Sequence, residues 1–417
     1  MPVLLYNIFI RVYNALIHCA SLFNKKAKYW VSGRKGVFDM LQREIKGDQP
    51  VIWMHCASLG EFEQGRPVLE KLKAACPGHK ILLTFFSPSG YEVRKNYNGA
   101  DWVFYLPADT RNNVRKFIGI TNPRLVIFVK YEYWYHYLHE LYKAGIPAIL
   151  ISAIFREHAI FFKWYGGFYR KILHFFTHVF VQTQDSFDRI KEVLPAEKIT
   201  LAGDTRFDRV LEIAKDFQPV KPVEKFVQHK TIMVAGSTWP EDEKQLKHLL
   251  EKLSNKLSLI IAPHEINEKH IEFLISLFPN AILYSDLIKD PDKISSLANV
   301  LIINNIGMLS RIYYYGSIAY IGGGFNKSGI HNTLEAAVYG KPVIFGPNYK
   351  KFSEAINLLK IRGGYSYNNN NQLYNILNIL LNDPSQLEVA GANAGAYVKS
   401  GKGATAIILS WIRQNAF

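Results

Sequence analysis

The sequence contains little cysteine, and that scarcity excludes several kinds of site. Only three cysteines, Cys19, Cys56 and Cys76, occur among 417 residues, and none belongs to a Cys-x-x-Cys pair. An odd, scattered set argues against a disulfide framework and against a zinc site built from cysteines. Such usage is typical of a chain that works in a reducing compartment, and we therefore expect the cytoplasm.

Acidic residues are few relative to basic ones. The chain has 35 Asp and Glu against 50 Lys and Arg, which gives a formal net charge of +15. A positive charge of this size favours an anionic partner such as nucleic acid, phosphorylated lipid or a membrane surface. No nucleic-acid-binding motif accompanies the basic residues, so we do not expect nucleic acid as the partner.

Long apolar runs are confined to the N-terminus. Val3–Phe23 is mostly apolar, and no other stretch approaches the ~18 residues that a further membrane span needs. Its main polar residues share one helical stripe: Asn7, Arg11, Asn14, His18 and Ser21. Basic residues follow from Lys25 to Lys35, whereas a signal peptide carries its charges before the apolar run.

Residues 1–35 are therefore predicted to form a membrane-associated helix with a basic flank that faces anionic lipid on the cytoplasmic side. The alternative is a core helix with one polar edge. Aromatic and basic residues are also interleaved between Ile154 and Lys171, a composition that suits a membrane interface or a partly buried helix edge.

The rest of the chain alternates short apolar runs with helical segments, which predicts parallel sheets covered by helices. A length of 417 residues suits two domains. The predicted strands are Val51–Cys56, Lys80–Phe86, Leu125–Val129, Ala148–Ile151, His178–Gln182, Ile199–Ala202, Thr231–Ala235, Leu257–Ala262, Ala281–Tyr284, Val300–Asn304, Ala319–Ile321 and Pro342–Phe345.

The fold class is thus α/β, with two Rossmann-like, doubly wound domains that face each other across a ligand-binding cleft. We place the first domain at residues 36–215 and the second at 228–400. Asp216–Val227 has charges, two prolines and little periodicity, and is interpreted as a linker. Residues 401–417 are predicted to form a C-terminal helix that packs back on the first domain.

Two segments of the first domain carry candidate chemistry where strands end. His55–Glu61 follows the first strand, and Glu61 begins the next helix, where it can project into the cleft or simply favour the helix dipole. Lys130–Trp134 follows another buried strand, and its Lys130 and Glu132 form either a site or a structural ion pair.

A third segment, Thr84–Gly90, repeats the design of a strand followed by small hydroxyl residues and glycine. Ser87 and Ser89 are placed to contact an anionic group or to cap a helix. With Ser58, Gly60 and Gly90 they are the candidates for acceptor binding.

The strongest pattern of the second domain runs from Gly322 to Pro347. Gly322–Gly324 follows a strand, and a glycine loop in that position lets backbone amides approach a phosphate. Glu335 then lies at a helix start, where a carboxylate can accept hydrogen bonds from ribose hydroxyls. An ordinary structural turn with an acidic helix start is the alternative.

These motifs, in this order and spacing, resemble those of the transferases of 3-deoxy-D-manno-octulosonic acid (Kdo) in lipopolysaccharide synthesis. The resemblance runs from the N-terminal helix to near Pro347. The segments that carry it are Gly33–Gly36, His55–Glu61, Thr84–Gly90, Leu125–Trp134, Gly203–Asp208, Gly329–Glu335 and Gly340–Pro347.

The resemblance implies a GT-B fold and an inverting transfer of Kdo from CMP-Kdo to the lipid A precursor lipid IVA, at the cytoplasmic face of the inner membrane. It implies that no metal or other cofactor is required. Glu61 matches the catalytic base and Arg206 a cationic stabilising residue. The positions that match CMP contacts are Pro263, His264, Ile306, Gly307, Met308, Asn332, Thr333, Leu334 and Glu335.

The chain departs from the family pattern at three positions. The family usually has two glutamates in its Glu-x-Glu-x-Trp segment, whereas this chain has Lys130 before Glu132. His264 stands where an arginine is common, and Met308 where an acidic residue is common. These changes affect individual stabilising and CMP contacts more than the reaction class.

Two alternative functions remain compatible with the sequence. One is another GT-B enzyme, either a nucleoside-diphosphate-sugar transferase or a sugar-nucleotide epimerase, and binding of CMP against UDP separates it from a Kdo transferase. The other is a basic membrane or nucleic-acid binding protein, which would bind with a steep salt dependence and show no turnover.

Overall fold

The computed structural model describes residues 2–47, 49–290 and 298–416. These residues form two compact units. The first comprises the chain up to Asp208 together with the chain from Gly403, and the second runs from Arg209 to Lys402.

The first unit contains a seven-stranded parallel sheet with strand order β3-β2-β1-β4-β5-β6-β7. Its strands are β1 (Val51–Cys56), β2 (Lys80–Phe85), β3 (Trp102–Tyr105), β4 (Pro123–Val129), β5 (Ala148–Ala153), β6 (His178–Val181) and β7 (Ile199–Leu201). Side chains alternate between the two faces, so Trp53 packs into the core on one face while Ile52 and Met54 pack into the core on the other.

Helices cover both faces of this sheet. They are α1 (Pro2–Ala20), α2 (Lys25–Ser32), α3 (Val37–Glu44), α4 (Leu59–Ala75), α5 (Pro88–Arg94), α6 (Arg111–Thr121), α7 (Tyr135–Lys143), α8 (Gly167–His174) and α9 (Gln184–Ile190). The next helix, α10 (Thr205–Lys215), begins in the first unit and ends in the second.

The second unit contains another seven-stranded parallel sheet, with order β10-β11-β9-β8-β12-β13-β14. Its strands are β8 (Ile232–Thr238), β9 (Ser258–Pro263), β10 (Ala281–Leu283), β11 (Val300–Ile302), β12 (Ile318–Ile321), β13 (Val343–Phe345) and β14 (Gly364–Ser366). The helices that follow α10 are α11 (Lys221–Val227), α12 (Pro240–Leu253), α13 (Glu268–Leu277), α14 (Tyr284–Lys289), α15 (Leu309–Ile312), α16 (Leu334–Ala337), α17 (Ser353–Lys360), α18 (Asn370–Asn382), α19 (Pro384–Ser400) and α20 (Ala404–Asn415).

All twelve strands predicted from the sequence are present, and their ends differ by a few residues. The sequence-based prediction missed β3 and β14, which are the outermost strands of their sheets and have only four and three residues. The interpretation of Asp216–Val227 as a plain linker is wrong in its second half. Lys221–Val227 is helix α11, because Pro222 starts it and Val223 and Phe226 are buried.

The N-terminal helix α1 has one face against the first unit and a wide exposed face. The less exposed apolar side chains recur every three or four residues, at Val3, Tyr6, Ile10, Tyr13 and Ile17. Leu5 and Phe9 are 58% and 62% exposed. The helix is long and apolar enough to cross a membrane, with 19 residues and a mean hydropathy of 1.4, and only 6% of its apolar window is buried. It is therefore not a core helix.

Polar contacts hold this helix in place. The hydroxyl of Tyr6 donates to the buried Asp109 carboxylate, whose oxygens also accept the backbone N–H groups of His136 and Tyr137 at the start of α7. Asn7 Oδ1 lies 2.6 Å from His136 Nε2. The helix thus forms part of the first unit as well as carrying an exposed apolar surface.

The chain returns to the first unit through its last helix. The backbone N–H groups of Gly403 and Thr405 donate to the Asp208 carboxylate at 2.7 Å each, which caps the start of α20. Ile408 and Ile412 are buried in the same core cluster as residues of β1 and α4.

Candidate functional site

The proposed catalytic residues of the first unit lie where its sheet changes winding direction. β1 pairs with β2 on one side and with β4 on the other, so the loops that leave these central strands diverge at their carboxyl ends. Residues 57–61 follow β1 and residues 130–134 follow β4, so both predicted segments lie at the same edge of the sheet.

Glu61 lies in the first turn of α4 and closes a capping box with Ser58. Its carboxylate accepts the backbone N–H of Ser58 at 2.9 Å and lies 3.3 Å from the Ser58 hydroxyl. Burial, and then the negative charge of Glu132, raise the pKa of Glu61 to about 7. Hydrogen bonds from the backbone of Ser58 and Ala57 and the charge of Lys130 act in the opposite direction. A carboxylate with this pKa can accept a proton near neutral pH.

Glu132 is buried, with 5% of its surface exposed, and one of its oxygens has two partners. Glu132 Oε2 lies 3.0 Å from His55 Nε2, and Trp134 Nε1 donates to the same oxygen at 2.5 Å. His55 is itself completely buried, and its Nδ1 lies 2.9 Å from the Thr84 hydroxyl. The three strands β1, β2 and β4 therefore fix the position of the Glu132 charge.

Lys130 leaves β4 in a left-handed backbone conformation, with φ of 74°, which is uncommon for a residue with a side chain. Its ammonium lies 5.6 Å from the centre of the Tyr131 ring, and its charge lowers the pKa of Glu61. Lys130 thus lowers the pKa of Glu61, whereas Glu132 raises it.

The acceptor-binding candidates are placed mainly by local structure. Gly60 lies inside the first turn of α4, and a side chain there would meet open space. Ser87 caps α5 by accepting the Ser89 backbone N–H at 3.3 Å, and the two hydroxyls lie 3.0 Å apart. Gly90 is required by packing, since a Cβ there would lie 2.2 Å from the Phe85 ring.

Arg206 is held by its neighbour Asp204. The Nε and Nη2 atoms of Arg206 donate to the same oxygen, Asp204 Oδ2, at 2.9 and 2.7 Å, so two charge-assisted hydrogen bonds hold the guanidinium. Thr205, between them, is buried and donates to the Gln64 carbonyl in α4. The guanidinium is thus oriented by the segment that follows β7, and the Asp204 carboxylate offsets its charge.

In the second unit, the glycine loop after β12 is held by a buried aspartate that sequence reasoning missed. Asp242, at the start of α12, accepts the Gly323 backbone N–H at 2.9 Å, the Tyr320 hydroxyl at 2.7 Å and the Trp239 backbone N–H at 3.0 Å. The sequence does show that Asp242 lies three positions after the residue that caps α12, which predicts a capping role. It does not show that Asp242 contacts a loop about eighty residues later.

The segment Asn332–Glu335 follows that loop and forms a small polar cluster. Asn332 Nδ2 donates to Glu335 at 3.0 Å, and Asn332 Oδ1 accepts the Leu334 backbone N–H at 3.1 Å. The Thr333 hydroxyl is buried, and its oxygen has no hydrogen-bond partner among the described residues. A buried hydroxyl without a partner is costly unless a ligand or water supplies one.

His264, which follows β9, is the middle ring of a stack of three. Its ring centre lies 4.7 Å from Trp239 and 4.4 Å from His331, and Trp239 Nε1 donates to His331 Nε2 at 3.2 Å. Burial and then the charge of His264 lower the pKa of His331 to about 4, and burial also lowers the pKa of His264. Both imidazoles are therefore mainly neutral at pH 7.

The remaining donor candidates lie beyond β11. Gly307 has φ of 91°, Ile306 is 89% exposed and Met308 is buried at the start of α15. Pro263 ends β9, the neighbour of β11, so all the donor candidates follow the carboxyl ends of β9, β11 and β12. Within the described residues, no three His, Cys, Asp or Glu side chains gather closely enough to hold a metal ion.

Solved structures share this architecture. UDP-GlcNAc 2-epimerase from Neisseria meningitidis, bound to UDP-GlcNAc, matches with a TM-score of 0.60 and 15% identity over 88% of this chain and all of that one. UDP-GlcNAc 2-epimerase from Methanocaldococcus jannaschii matches with a TM-score of 0.53 and 16% identity over 87% of this chain and 99% of that one. At these identities the likeness shows the fold alone, which is GT-B, as predicted.

Comparison with proteins of related sequence narrows the class of protein to which this chain is similar. Residues 32–209 match the family described as 3-deoxy-D-manno-octulosonic-acid transferase. The Kdo transferase of Aquifex aeolicus is 29% identical over 84% of this chain and 93% of its own length. That of Haemophilus influenzae is 27% identical over 82% of each chain, and that of Chlamydia trachomatis serovar A is 27% identical over 94% of this chain and 92% of its own.

The fold and these relatives together indicate a glycosyltransferase of the GT-B class. The chain is similar in sequence to the Kdo transferases, and this similarity confirms the resemblance inferred from its motifs.

Proposed function

We propose that the protein transfers Kdo from CMP-Kdo to lipid IVA with inversion of the anomeric centre, and that Glu61 is the catalytic base. The observation that carries this proposal is the Glu61 carboxyl, which lies in the first turn of α4, just beyond β1, with its pKa raised to about 7. At neutral pH a substantial fraction of this group is free to accept the proton of an acceptor hydroxyl.

The proposed reaction needs only protein side chains besides its two substrates. The sugar hydroxyl of the acceptor attacks the anomeric carbon of Kdo while Glu61 takes the hydroxyl proton, and CMP leaves with the electrons of the broken bond. Arg206, Lys130 and the ordered Glu132 set the charge around the reacting groups. We propose no metal and no other cofactor.

The second unit is proposed to hold the nucleotide. Asn332 orients the carboxylate of Glu335, which we propose accepts a hydrogen bond from a ribose hydroxyl. The buried hydroxyl of Thr333, which has no hydrogen-bond partner among the described residues, lies in the same segment. His264 stands where an arginine is common in the family, so a stacked ring takes the place of a charged side chain. A flat ring suits contact with a base or ribose better than contact with a phosphate. Pro263 and Ile306–Met308 complete the proposed CMP site.

We further propose that α1 and its basic flank bind the cytoplasmic face of the inner membrane, where lipid IVA is anchored. The exposed side chains of Leu5 and Phe9 suit acyl chains, and Lys25, Lys26 and Lys28 suit anionic head groups. Trp164, which is 91% exposed, and Tyr165 provide a second aromatic contact with the membrane surface.

Incubation with CMP-Kdo and lipid IVA, followed by mass analysis of the lipid, tests the proposal. We expect lipid IVA to gain one or more Kdo masses and CMP to be released in equal amount. UDP-GlcNAc, incubated in parallel, tests for epimerase chemistry. Epimerisation of UDP-GlcNAc with no transfer from CMP-Kdo would contradict the proposal.

A further inference from the structure

A cavity of about 690 Å³ opens at the carboxyl ends of β12, β13 and β14 in the second unit. Three lysines line it: Lys327, Lys350 and Lys351. Ser328, Ser366 and Asn368 add polar groups to its wall. The set that lines this part of the described chain contains no aspartate or glutamate.

The wall of the cavity is built by two loops that are bonded to each other. The Asn348 backbone N–H donates to the Gly324 carbonyl at 2.9 Å, and its side-chain amide donates to the Asn326 carbonyl at 2.9 Å. Glycine is required where the loops meet, because a Cβ on Gly324 would lie 2.5 Å from Gly346 Cα. The cavity is therefore formed before any ligand arrives.

The charge of the cavity selects for anions. Three ammonium groups around one concave surface, with no carboxylate among the lining residues, attract a negative group and concentrate it there. Hydroxyl and amide groups beside them provide the hydrogen-bond partners that sugar hydroxyls need. This combination suits an acidic carbohydrate better than a neutral one.

The cavity also adjoins the proposed nucleotide site along the chain. Gly329 lines the cavity, and Asn332 begins the nucleotide segment three residues later. The loop between them is fixed by hydrogen bonds from Ile330 N–H to the Asn348 carbonyl at 3.3 Å and from His331 N–H to the Gly322 carbonyl at 3.2 Å. His264 and His331 are mainly neutral at pH 7, so the lysines are the stronger source of positive charge.

We infer that this lysine-lined cavity binds the carboxylate of the transferred sugar, and that Lys327, Lys350 and Lys351 select an acidic sugar donor. The inference rests on the proposed function, since Kdo is the sugar that carries the carboxylate. A lysine ammonium acts here as a point charge with a flexible stem, which tolerates movement of the sugar during transfer.

The test replaces all three lysines, Lys327→Gln, Lys350→Gln and Lys351→Gln, in the full-length protein. Calorimetry measures binding of CMP and of CMP-Kdo to the wild type and to this variant. A matched control replaces three exposed lysines elsewhere in the same unit, Lys244→Gln, Lys360→Gln and Lys399→Gln, with the same loss of charge. Circular dichroism checks that both variants remain folded.

We expect the cavity variant to lose about 10- to 100-fold in affinity for CMP-Kdo, the effect of a lost charged hydrogen bond, while its CMP affinity stays within about twofold. The control variant should keep both affinities. A CMP-Kdo analogue with an uncharged amide in place of the carboxylate should bind the wild type and the cavity variant equally.

Other outcomes overturn the inference in recognisable ways. An equal loss for CMP and CMP-Kdo would assign the lysines to the nucleotide phosphate. Unchanged affinity of the cavity variant for both CMP and CMP-Kdo would show that the lysines do not bind the donor. If the wild type binds neither CMP nor CMP-Kdo, the proposed function fails and this inference falls with it.

Discussion

Replacement of Glu61 by glutamine separates the chemistry of this residue from its structural role. Glutamine keeps an oxygen that accepts the Ser58 backbone N–H, so the capping box at the start of α4 is preserved. It removes only the ability to take a proton. We expect turnover to fall about 10²- to 10⁴-fold, the usual contribution of a general base, with CMP affinity nearly unchanged.

The same replacement should lower turnover but raise the stability of the folded protein. Folding raises the pKa of Glu61 from 4.5 to about 7, so the folded state holds this proton more tightly than the unfolded state. The stability that this proton contributes is complete below pH 4.5 and is lost as the pH rises through about 7. The difference between these two pKa values corresponds to at most ~3 kcal/mol of stability. The variant avoids that loss.

The assay combines two measurements over a pH range that brackets 7. Transfer of Kdo to lipid IVA should rise with pH in the wild type as Glu61 loses its proton. Denaturant unfolding should show the Glu61→Gln variant about 1–3 kcal/mol more stable than the wild type in alkaline buffer, and equal to it in acid. Glu63→Gln, on the same helix, is the matched control and should retain turnover. Near-normal turnover of the Glu61→Gln variant would refute its assignment as the base.

Three further predictions concern the neighbouring groups, the nucleotide and the membrane. Glu132→Gln should lower the pKa of Glu61 and move the acid limb of the pH–rate profile to lower pH, whereas Lys130→Met should raise this pKa and move the limb to higher pH. An acid limb that does not move in either variant would show that neither charge acts on the base. Glu335→Ala should weaken CMP binding by roughly 1.5–3 kcal/mol in calorimetry, and an unchanged affinity would leave it only a helix-start residue. Leu5→Gln with Phe9→Gln should reduce co-sedimentation with anionic vesicles without unfolding the protein, whereas undiminished binding would place the membrane contact elsewhere.

Much of the fold followed from hydrophobic patterning. Central parallel strands are buried on both faces, so strands such as β1 and β4 appear in the sequence as short, mostly apolar runs. The edge strands β3 and β14 were missed because they are short and, in β14, include a glycine and a serine. Helix α11 was missed since two prolines suggested a break, although proline is well tolerated in the first turn of a helix.

The candidate site was only partly predictable from the sequence. Lys130 and Glu132 were predicted because charged residues directly after a buried strand are costly unless they are paired or solvated. Glu61 was predicted because it begins a helix that follows a strand end, where doubly wound sheets place ligands. The partners that control them come from distant parts of the chain: His55 lies 77 residues before Glu132, and Asp242 lies 81 residues before Gly323. Periodicity reports only local structure, so contacts of this kind, and the ring stack around His264, required the fold.

The packing of α1 limits how the N-terminal helix of this protein can be exchanged by protein engineering. Tyr13 stacks on Phe86 at 6.1 Å, Phe86 packs on Trp134 at 4.9 Å, and Trp134 donates its indole N–H to Glu132. Arg34 reinforces this wall, because its guanidinium lies over Trp30 and donates to the Phe86 carbonyl at 2.8 Å. The N-terminal helix is therefore not an interchangeable module. A chimera that exchanges it for another apolar helix must retain Tyr13, or the Phe86 and Trp134 rings that lead to the Glu132 carboxylate lose a packing partner.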